Sequence, residues 1–360
     1  MDKDKADLAA VILAGGAGTR FWPLSTPRRP KQFLRLFGDR SLLEMSFDRL
    51  AGLVPAHRVL VLTNRDFVDL VREQLPALPP ENAVAEPQRK DTAAAAALGA
   101  LLCRRLFGDR VILTVTADHL IEPVAMFQET MLAAAGQARK AGGLYTFGVS
   151  PTHPATGYGY LELGKKTAEE GGVWFYDLIS FKEKPDQDTA ARYLASGRYL
   201  WNSGMFAWTP GAIIEALAEH LPGHLAALIP AVEQFGTPGW PAALAEAFAE
   251  LRAISIDYGV MEKAARVRCA AARFSWSDVG GWPAVGERLP GDGRGNNVRG
   301  RVFSLDASDN LVFCMDPAET VALVGVEGLM VVRAGDKTLV APKSRAEEVK
   351  ALVKAFEGDG

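Results

Sequence analysis

The sequence predicts an α/β protein, a Rossmann-like, doubly wound mixed sheet over residues 1–290, followed by a small β-rich domain over 291–360 that ends in a helix. Three observations carry this expectation. Short apolar runs alternate with helix-length stretches through the first half, the first of those runs breaks into glycines, and after residue 290 closely spaced short strands take over. In order, strands are expected at 9–13, 58–63, 111–115 and 144–149, separated by helices at 41–53, 66–75, 92–106 and 123–141. Strand, helix, strand at this spacing implies parallel pairing, with a ligand at the carboxyl ends of the strands. Strands at 158–163, 173–183 and 200–208, interrupted by a helix at 187–196, read as an extension of that sheet. The stretch 211–252 is rich in Ala, Leu and Glu and reads as an outer helical layer that Pro222, Pro230 and Pro238 divide into short helices. Residues 291–300, GDGRGNNVRG, read as a polar linker into strands at 302–305, 311–314, 320–324 and 328–333, and a final amphipathic helix is expected over 344–356. No internal repeat stands out in this tail.

Composition narrows the function classes. With 360 residues, 48% hydrophobic and 23% charged, the chain can bury one large core and a smaller one. A formal charge of −3 argues against general binding to nucleic acid or a membrane surface. The longest apolar stretch, 93–103, stops at Arg104 and Arg105, short of a membrane span. The apolar run 8–14 is too short for a secretory signal, so a cytoplasmic location is expected. Cys103, Cys269 and Cys314 are widely spaced without a C-x-x-C pair and read as buried thiols, neither a disulfide framework nor a zinc site. Five histidines without a Ser/His/Asp spacing make hydrolytic triad chemistry improbable.

Chemistry concentrates in residues 11–35, VILAGGAGTRFWPLSTPRRPKQFLR. Gly15, Gly16 and Gly18 let backbone N–H groups approach an anion, and Arg20, Arg28, Arg29, Lys31 and Arg35 add positive charge, so the loop is built to grip a polyphosphate. It lacks the Gly-Lys-Ser/Thr ending of a Walker loop. It also lacks the third glycine of a dinucleotide fingerprint, because bulky Phe21 and Trp22 stand there. Asp118, in TADHLI, follows a predicted strand at its carboxyl end, and Asp278, in SWSDVGGW, precedes the glycine pair Gly280 and Gly281. Two carboxylates holding one hard divalent cation against a nucleoside triphosphate would suit nucleotidyl transfer, although their spacing of 160 residues is invisible to any local pattern.

The glycine loop together with PKQF resembles the signature loop of the sugar-phosphate nucleotidyltransferases. GGAGTR, PKQF, TADH, TGYGYLE, FKEKP, WNSGMF, SIDYGVMEK and WSDVGGW then occur in the order expected of mannose-1-phosphate guanylyltransferases, over roughly residues 9 to 285. The resemblance implies that Gly15, Gly16, Gly18 and Thr19 lie along the triphosphate, that Arg20 and Lys31 meet the phosphates leaving as pyrophosphate, and that Asp118 and Asp278 hold Mg²⁺ or another divalent cation. Glu86 and Pro87, with Lys90, Asp91 and Thr92, occupy the stretch that resembles the guanine-reading loop, where Glu86 would accept from the base. Gly157 and Gly159, Glu183, Lys184 and Asn202 are placed on the sugar phosphate, with Lys184 on the 1-phosphate; Asp257 reads equally as a structural cap. Arg28, Arg29 and Arg35 read as solvated or helix-flanking, and His119, His153 and Tyr158 are left unassigned.

The family commonly shows Gly-Arg-Asn-Thr-Ala-Pro where this chain has Arg89, Lys90, Asp91, Thr92, Ala93 and Ala94. Asp91 is expected to cap the alanine-rich helix. The implied reaction joins GTP and α-D-mannose 1-phosphate into GDP-mannose, by an enzyme expected as a homodimer. Its rivals are another sugar 1-phosphate or NTP, and a non-catalytic regulatory subunit. A short β-helix in the tail is implied by the resemblance alone. An isomerase barrel is not expected there, since the last 70 residues contain no histidine.

Overall fold

A computed structural model describes residues 7–16 and 18–358, which gather into two compact units. The first unit comprises Met1–Gly15, Ser46–Ala117 and Ile121–Trp276; the second comprises Gly16–Met45, Asp118–Leu120 and Ser277–Gly360. In chain order the first elements are β1 (Leu8–Leu13), α1 (Leu42–Leu50), β2 (Val59–Asn64), α2 (Val68–Gln74), β3 (Ala83–Glu86), α3 (Asp91–Phe107), β4 (Val111–Thr116) and β5 (Leu120–Glu122). There follow α4 (Val124–Ala141), β6 (Leu144–Val149), β7 (Gly159–Glu170), β8 (Val173–Glu183), α5 (Gln187–Ser196) and β9 (Tyr199–Trp208). Next come α6 (Pro210–His220), α7 (Pro222–Glu233), α8 (Trp240–Glu250), β10 (Val267–Ala271), β11 (Ser275–Ser277) and α9 (Trp282–Gly286). The tail holds β12 (Asn297–Arg299), β13 (Arg301–Leu305), β14 (Leu311–Cys314), β15 (Thr320–Val324), β16 (Leu329–Ala334), β17 (Lys337–Pro342) and α10 (Val349–Gly358).

The first unit is built on one nine-stranded mixed sheet in the order β3-β2-β1-β4-β9-β6-β10-β8-β7. LAAVIL, VLVLTN and VILTVT make β1, β2 and β4; they show almost no polar alternation because helices cover both faces of a parallel sheet. Ile12 stands opposite Val61 on one side and Val115 on the other. The chain therefore reverses its travel across the sheet at β1, and the segments following β1 and β4 leave from one carboxyl edge, the usual ligand position in such sheets.

The predicted sheet extension is corrected in one respect. β9 does not prolong an edge but inserts antiparallel between β4 and β6, with Phe206 opposite both Thr114 and Thr146. Met205, Phe206, Ala207 and Trp208 are all buried, so both faces of this strand are apolar, and only a central position satisfies both. β3 and β10 were not foreseen, because AVAE and VRCAA are short and poor in the β-branched and aromatic residues that mark strands. Pro230 also departs from expectation: it lies inside α7, which continues to Glu233. Burial of Leu225, Leu228, Ala231 and Val232 along that helix outweighs a local cost of about 3 kcal/mol for an interior proline. The three cysteines are buried free thiols. No helix among the described residues is long and apolar enough to cross a membrane.

In the second unit, β12, β14 and β16 stack in parallel, with Val298, Val312 and Val331 in register, and β17 closes the edge antiparallel. β13 and β15 form another parallel pair. The stretch 291–300 is thus not merely a polar linker: it contains β12, and Asn296 within it is fully buried. The reason is an asparagine ladder. Asn310 Nδ2 donates to Asn296 Oδ1 at 2.9 Å and to Val326 O at 3.1 Å, while Asn310 Oδ1 accepts from the Leu329 N–H at 2.9 Å. Asn296 Nδ2 donates in turn to Ala307 O at 2.9 Å. Each buried partner left unsatisfied costs about 1–3 kcal/mol. Asn310→Ala is therefore expected to destabilise the protein by several kcal/mol in urea unfolding; an unchanged midpoint would show that the ladder carries no stability.

The predicted helix 344–356 also starts later. Lys343–Glu348 form a 3₁₀ segment, kinked at Arg345, before α10 begins at Val349. Phe21, Val279, Trp282, Phe313, Met330, Val349 and Val353 share one core. Trp282 sits at its centre, 5.3 Å from the Phe21 ring and 5.1 Å from Phe313, and its indole N–H donates to the Trp22 carbonyl at 3.1 Å.

Candidate active site

In the second unit the signature loop folds back on itself. Gly18 takes φ 55°, and a Cβ there would come within 2.5 Å of the Lys31 backbone nitrogen, so a left-handed turn and a close approach both require glycine. Gly18 precedes the 3₁₀ turn Thr19–Phe21; the Thr19 side chain lies outside what the structure describes. Gln32, which sequence reasoning passed over, donates to the Gly16 carbonyl at 3.1 Å and fixes the glycine segment. Lys31 is buried, and its Nζ donates to the Asp278 backbone carbonyl at 2.5 Å while pairing with Asp118 Oδ2 at 3.0 Å. Residues separated by 247 positions are thereby brought to one point.

A cavity of about 330 Å³ opens there, lined by Gly18, Arg20, Phe21, Lys31, Asp118, His119, Asp278, Gly280 and Lys350. Burial opposes ionisation of Asp118, but the Lys31 charge, the His119 ring and hydrogen bonds together outweigh it and hold the carboxyl below its ordinary value. His119 Nε2 lies 3.6 Å from Asp118 Oδ1. Arg20 pairs with Glu347 at 3.0 Å. Arg28, Arg29 and Arg35 are exposed and do not line this cavity.

The donor set fits a hard divalent cation. Two carboxylates, Asp118 and Asp278, line one cavity, and a Cβ at Gly280 would come within 3.2 Å of Asp278 Oδ2, so glycine keeps room beside that carboxylate. No group of three His, Cys, Asp or Glu suited to a metal occurs among the described residues. The remaining ligands would be water and phosphate oxygens, as Mg²⁺ prefers.

In the first unit Glu86 ends β3 with its carboxylate turned toward Gly15: a Cβ there would sit 3.3 Å from Glu86 Oε2, and burial pushes the Glu86 carboxyl up to about 7. Asp91 does not take the expected N-cap role. It is the first residue of α3 and adopts φ 64°, a left-handed conformation that Asp tolerates; its carboxylate accepts from the adjacent Thr92 N–H at 2.7 Å, and the capping position, Lys90, makes no side-chain cap. The loop is fastened instead by its neighbours. Lys90 Nζ donates to Leu251 O at 2.8 Å, and Thr92 Oγ1 accepts from the Ile256 N–H at 2.9 Å.

A second polar cluster lies in the same unit. Lys184, at φ 48°, donates its N–H to Tyr158 O at 3.1 Å, and its amine pairs with Glu183 Oε1 at 2.7 Å, a hydrogen bond that raises the lysine above its ordinary value. Gly159 lies against Glu183 and Asn202, and any Cβ there would collide with Glu183 Oε2; at Gly157 a Cβ would meet nothing. Asn202 accepts from Thr146 Oγ1 at 2.7 Å and donates to Asp257 Oδ1 at 3.0 Å. Burial, reinforced by the Glu183 charge, pushes Asp257 up to about 7 against the opposing Asn202 hydrogen bond. Asp257 and Thr146 thus join the cluster. Sequence reasoning passed over Thr146, whose cue was a polar residue inside the apolar strand LYTFGV. His153 and Tyr158 pack edge to face on Trp201, at 4.9 and 5.0 Å.

The two raised carboxyls set a pH dependence. Below about pH 4 both are neutral in folded and unfolded chains alike; as pH rises the unfolded chain ionises first, so their stabilisation is lost as pH climbs through about 7. Asp257→Asn and Glu86→Gln should gain Tm relative to wild type between pH 4 and 8. A Tm difference constant over that range would mean that neither carboxyl is perturbed.

A doubly wound sheet whose first strand feeds a glycine loop, and a cavity lined by Arg20, Lys31, Asp118 and Asp278, are what a nucleotidyltransferase requires. The family described as Nucleotidyl transferase matches residues 9–290, and that described as MannoseP isomerase/GMP-like beta-helix domain matches residues 300–356. An Escherichia coli protein named mannose-1-phosphate guanylyltransferase is 39% identical over 350 residues, covering 96% of this chain and 73% of its own. Xanthan biosynthesis protein XanB of Xanthomonas campestris pv. campestris (strain B100) is 38% identical, covering 99% and 74%. A crystal structure described as mannose-1-phosphate geranyltransferase from Thermus thermophilus superposes with a TM-score of 0.86 at 37% identity, covering 98% of this chain and 99% of that one. The chain belongs to the nucleotidyl transferase family, and within it to the mannose-1-phosphate guanylyltransferases.

Proposed function

We propose that the protein transfers GMP from GTP to α-D-mannose 1-phosphate, giving GDP-mannose and pyrophosphate. The observation that carries the transfer chemistry is Lys31 joining Asp118 and the Asp278 carbonyl in one cavity. In this reading Gly15, Gly16, Gly18 and Thr19 cradle the triphosphate. Arg20 and Lys31 neutralise the departing pyrophosphate, each contact worth about 1.5–3 kcal/mol. Asp118 and Asp278 hold Mg²⁺, which supplies charge neutralisation at the attacked phosphorus when bound.

Glu86, beside Pro87, accepts from guanine N1–H and its amine; Asp91 and Thr92 shape that loop. Gly157, Glu183 and Asn202 receive the sugar, with Gly159 allowing close approach, and Lys184 grips the 1-phosphate. No side-chain base is needed, because the attacking phosphate is already ionised, and displacement proceeds in line without a covalent intermediate. Arg20, Lys31, Asp118 and Asp278 are all present, which speaks against a non-catalytic subunit. Pyrophosphate release measured across four NTPs and a panel of sugar 1-phosphates tests the reading. GTP with mannose 1-phosphate should give the highest kcat/KM; another pair doing so would reassign the substrates, and silence throughout would favour the regulatory alternative.

A further inference from the structure

We propose that Lys350, in the first turn of α10, is a further phosphate-binding residue of the transfer cavity, and that Glu347 holds Arg20 in a contact that an entering polyphosphate displaces. The proposal rests on the reaction proposed above. Val349 and Val353, one turn apart, are both buried in the core that contains Phe21. This fixes the rotation of the helix about its axis, and Lys350, about 100° further round, lines the cavity with Arg20 and Lys31. The lining then carries three basic side chains, Arg20, Lys31 and Lys350, against two carboxylates, Asp118 and Asp278. A divalent cation on those carboxylates would leave the cationic side chains facing a polyanion. None of the motifs in the first 285 residues reaches this helix.

Glu347 lies three residues earlier, and its carboxylate meets Arg20 Nε at 3.0 Å. Both side chains are largely solvent-exposed, and such pairs are weakly held. A guanidinium offered phosphate oxygens makes stronger, fork-shaped contacts, so Arg20 can exchange Glu347 for a phosphate without leaving the cavity. The helix would thus contribute one grip and release another as the triphosphate arrives.

The test uses the full chain and two readouts. Lys350→Ala should raise the KM for GTP, and for pyrophosphate in the reverse direction, by about ten- to a hundredfold, while the mannose 1-phosphate KM stays within about twofold. Lys350→Arg should restore most of the affinity and Lys350→Met, which keeps the stem without the charge, should not; rescue by Met would assign the lysine to packing. Glu347→Gln should lower the GTP KM by a few fold. Calorimetric titration with inorganic pyrophosphate, free of turnover, should show the same loss in Lys350→Ala, with circular dichroism confirming the fold. Equal pyrophosphate affinity in wild type and Lys350→Ala would overturn the assignment. If wild type binds pyrophosphate but makes no GDP-mannose, the proposed substrates fail, and the Lys350→Ala titration still decides this proposal.

Discussion

Asp118→Asn is expected to lower turnover by about two to three orders of magnitude at saturating divalent cation, the scale on which one preorganised electrostatic contact is lost. The substitution is nearly isosteric at a side chain 35% exposed, so the fold should survive. Asp278→Asn should be equally damaging for a separable reason. Lys31 is anchored by the backbone carbonyl of residue 278, which the substitution keeps, so only the carboxylate lining the cavity is lost. Either variant should also need more cation to reach its own plateau, a shift in half-saturation that an undisturbed metal site would not show. Near-normal turnover in both would remove the two carboxylates from the chemistry.

Lys184→Ala is expected to raise the KM for mannose 1-phosphate by about ten- to a hundredfold, the equivalent of one charge-assisted contact, and to leave the GTP KM nearly unchanged. Lys184 already sits at φ 48°, and alanine meets the same left-handed strain, so the variant isolates the amine. Removing it also leaves Glu183 without its 2.7 Å partner beside the already raised Asp257. A larger effect on GTP than on the sugar phosphate would mean that the two substrates are assigned to the wrong residues.

Much of this was legible in the sequence because its determinants are local. Gly15, Gly16 and Gly18 mark where β1 gives way to a glycine loop, and the unalternated runs of β1, β2 and β4 announce buried parallel strands. What stayed hidden depends on partners far along the chain. Central placement of β9 needed to know that both its faces would be covered. Asn296 and Asn310, 14 residues apart, look like turn residues until the stacked strands bring their amides together. Asp91 looked like a helix cap because its neighbours are alanines, yet the loop is tied down by Lys90 and Thr92. Asp257 reads as a cap by itself, and only burial, reinforced by the Glu183 charge, pushes its carboxyl up to about 7.

The core around Trp282 bears on how this protein can be taken apart. Phe21 and Trp22, from the opening loop, meet Trp282 from the late glycine turn, and both rest on Phe313, Met330 and Val353 from the tail. The last 70 residues therefore act as a keystone for the glycine loop, not as an interchangeable cassette. A fragment ending at residue 290 would leave the Phe21 and Trp282 rings facing water and should bind 1-anilinonaphthalene-8-sulfonate while losing GTP affinity, a result that exchange of tails between relatives would share unless the loop travelled with them.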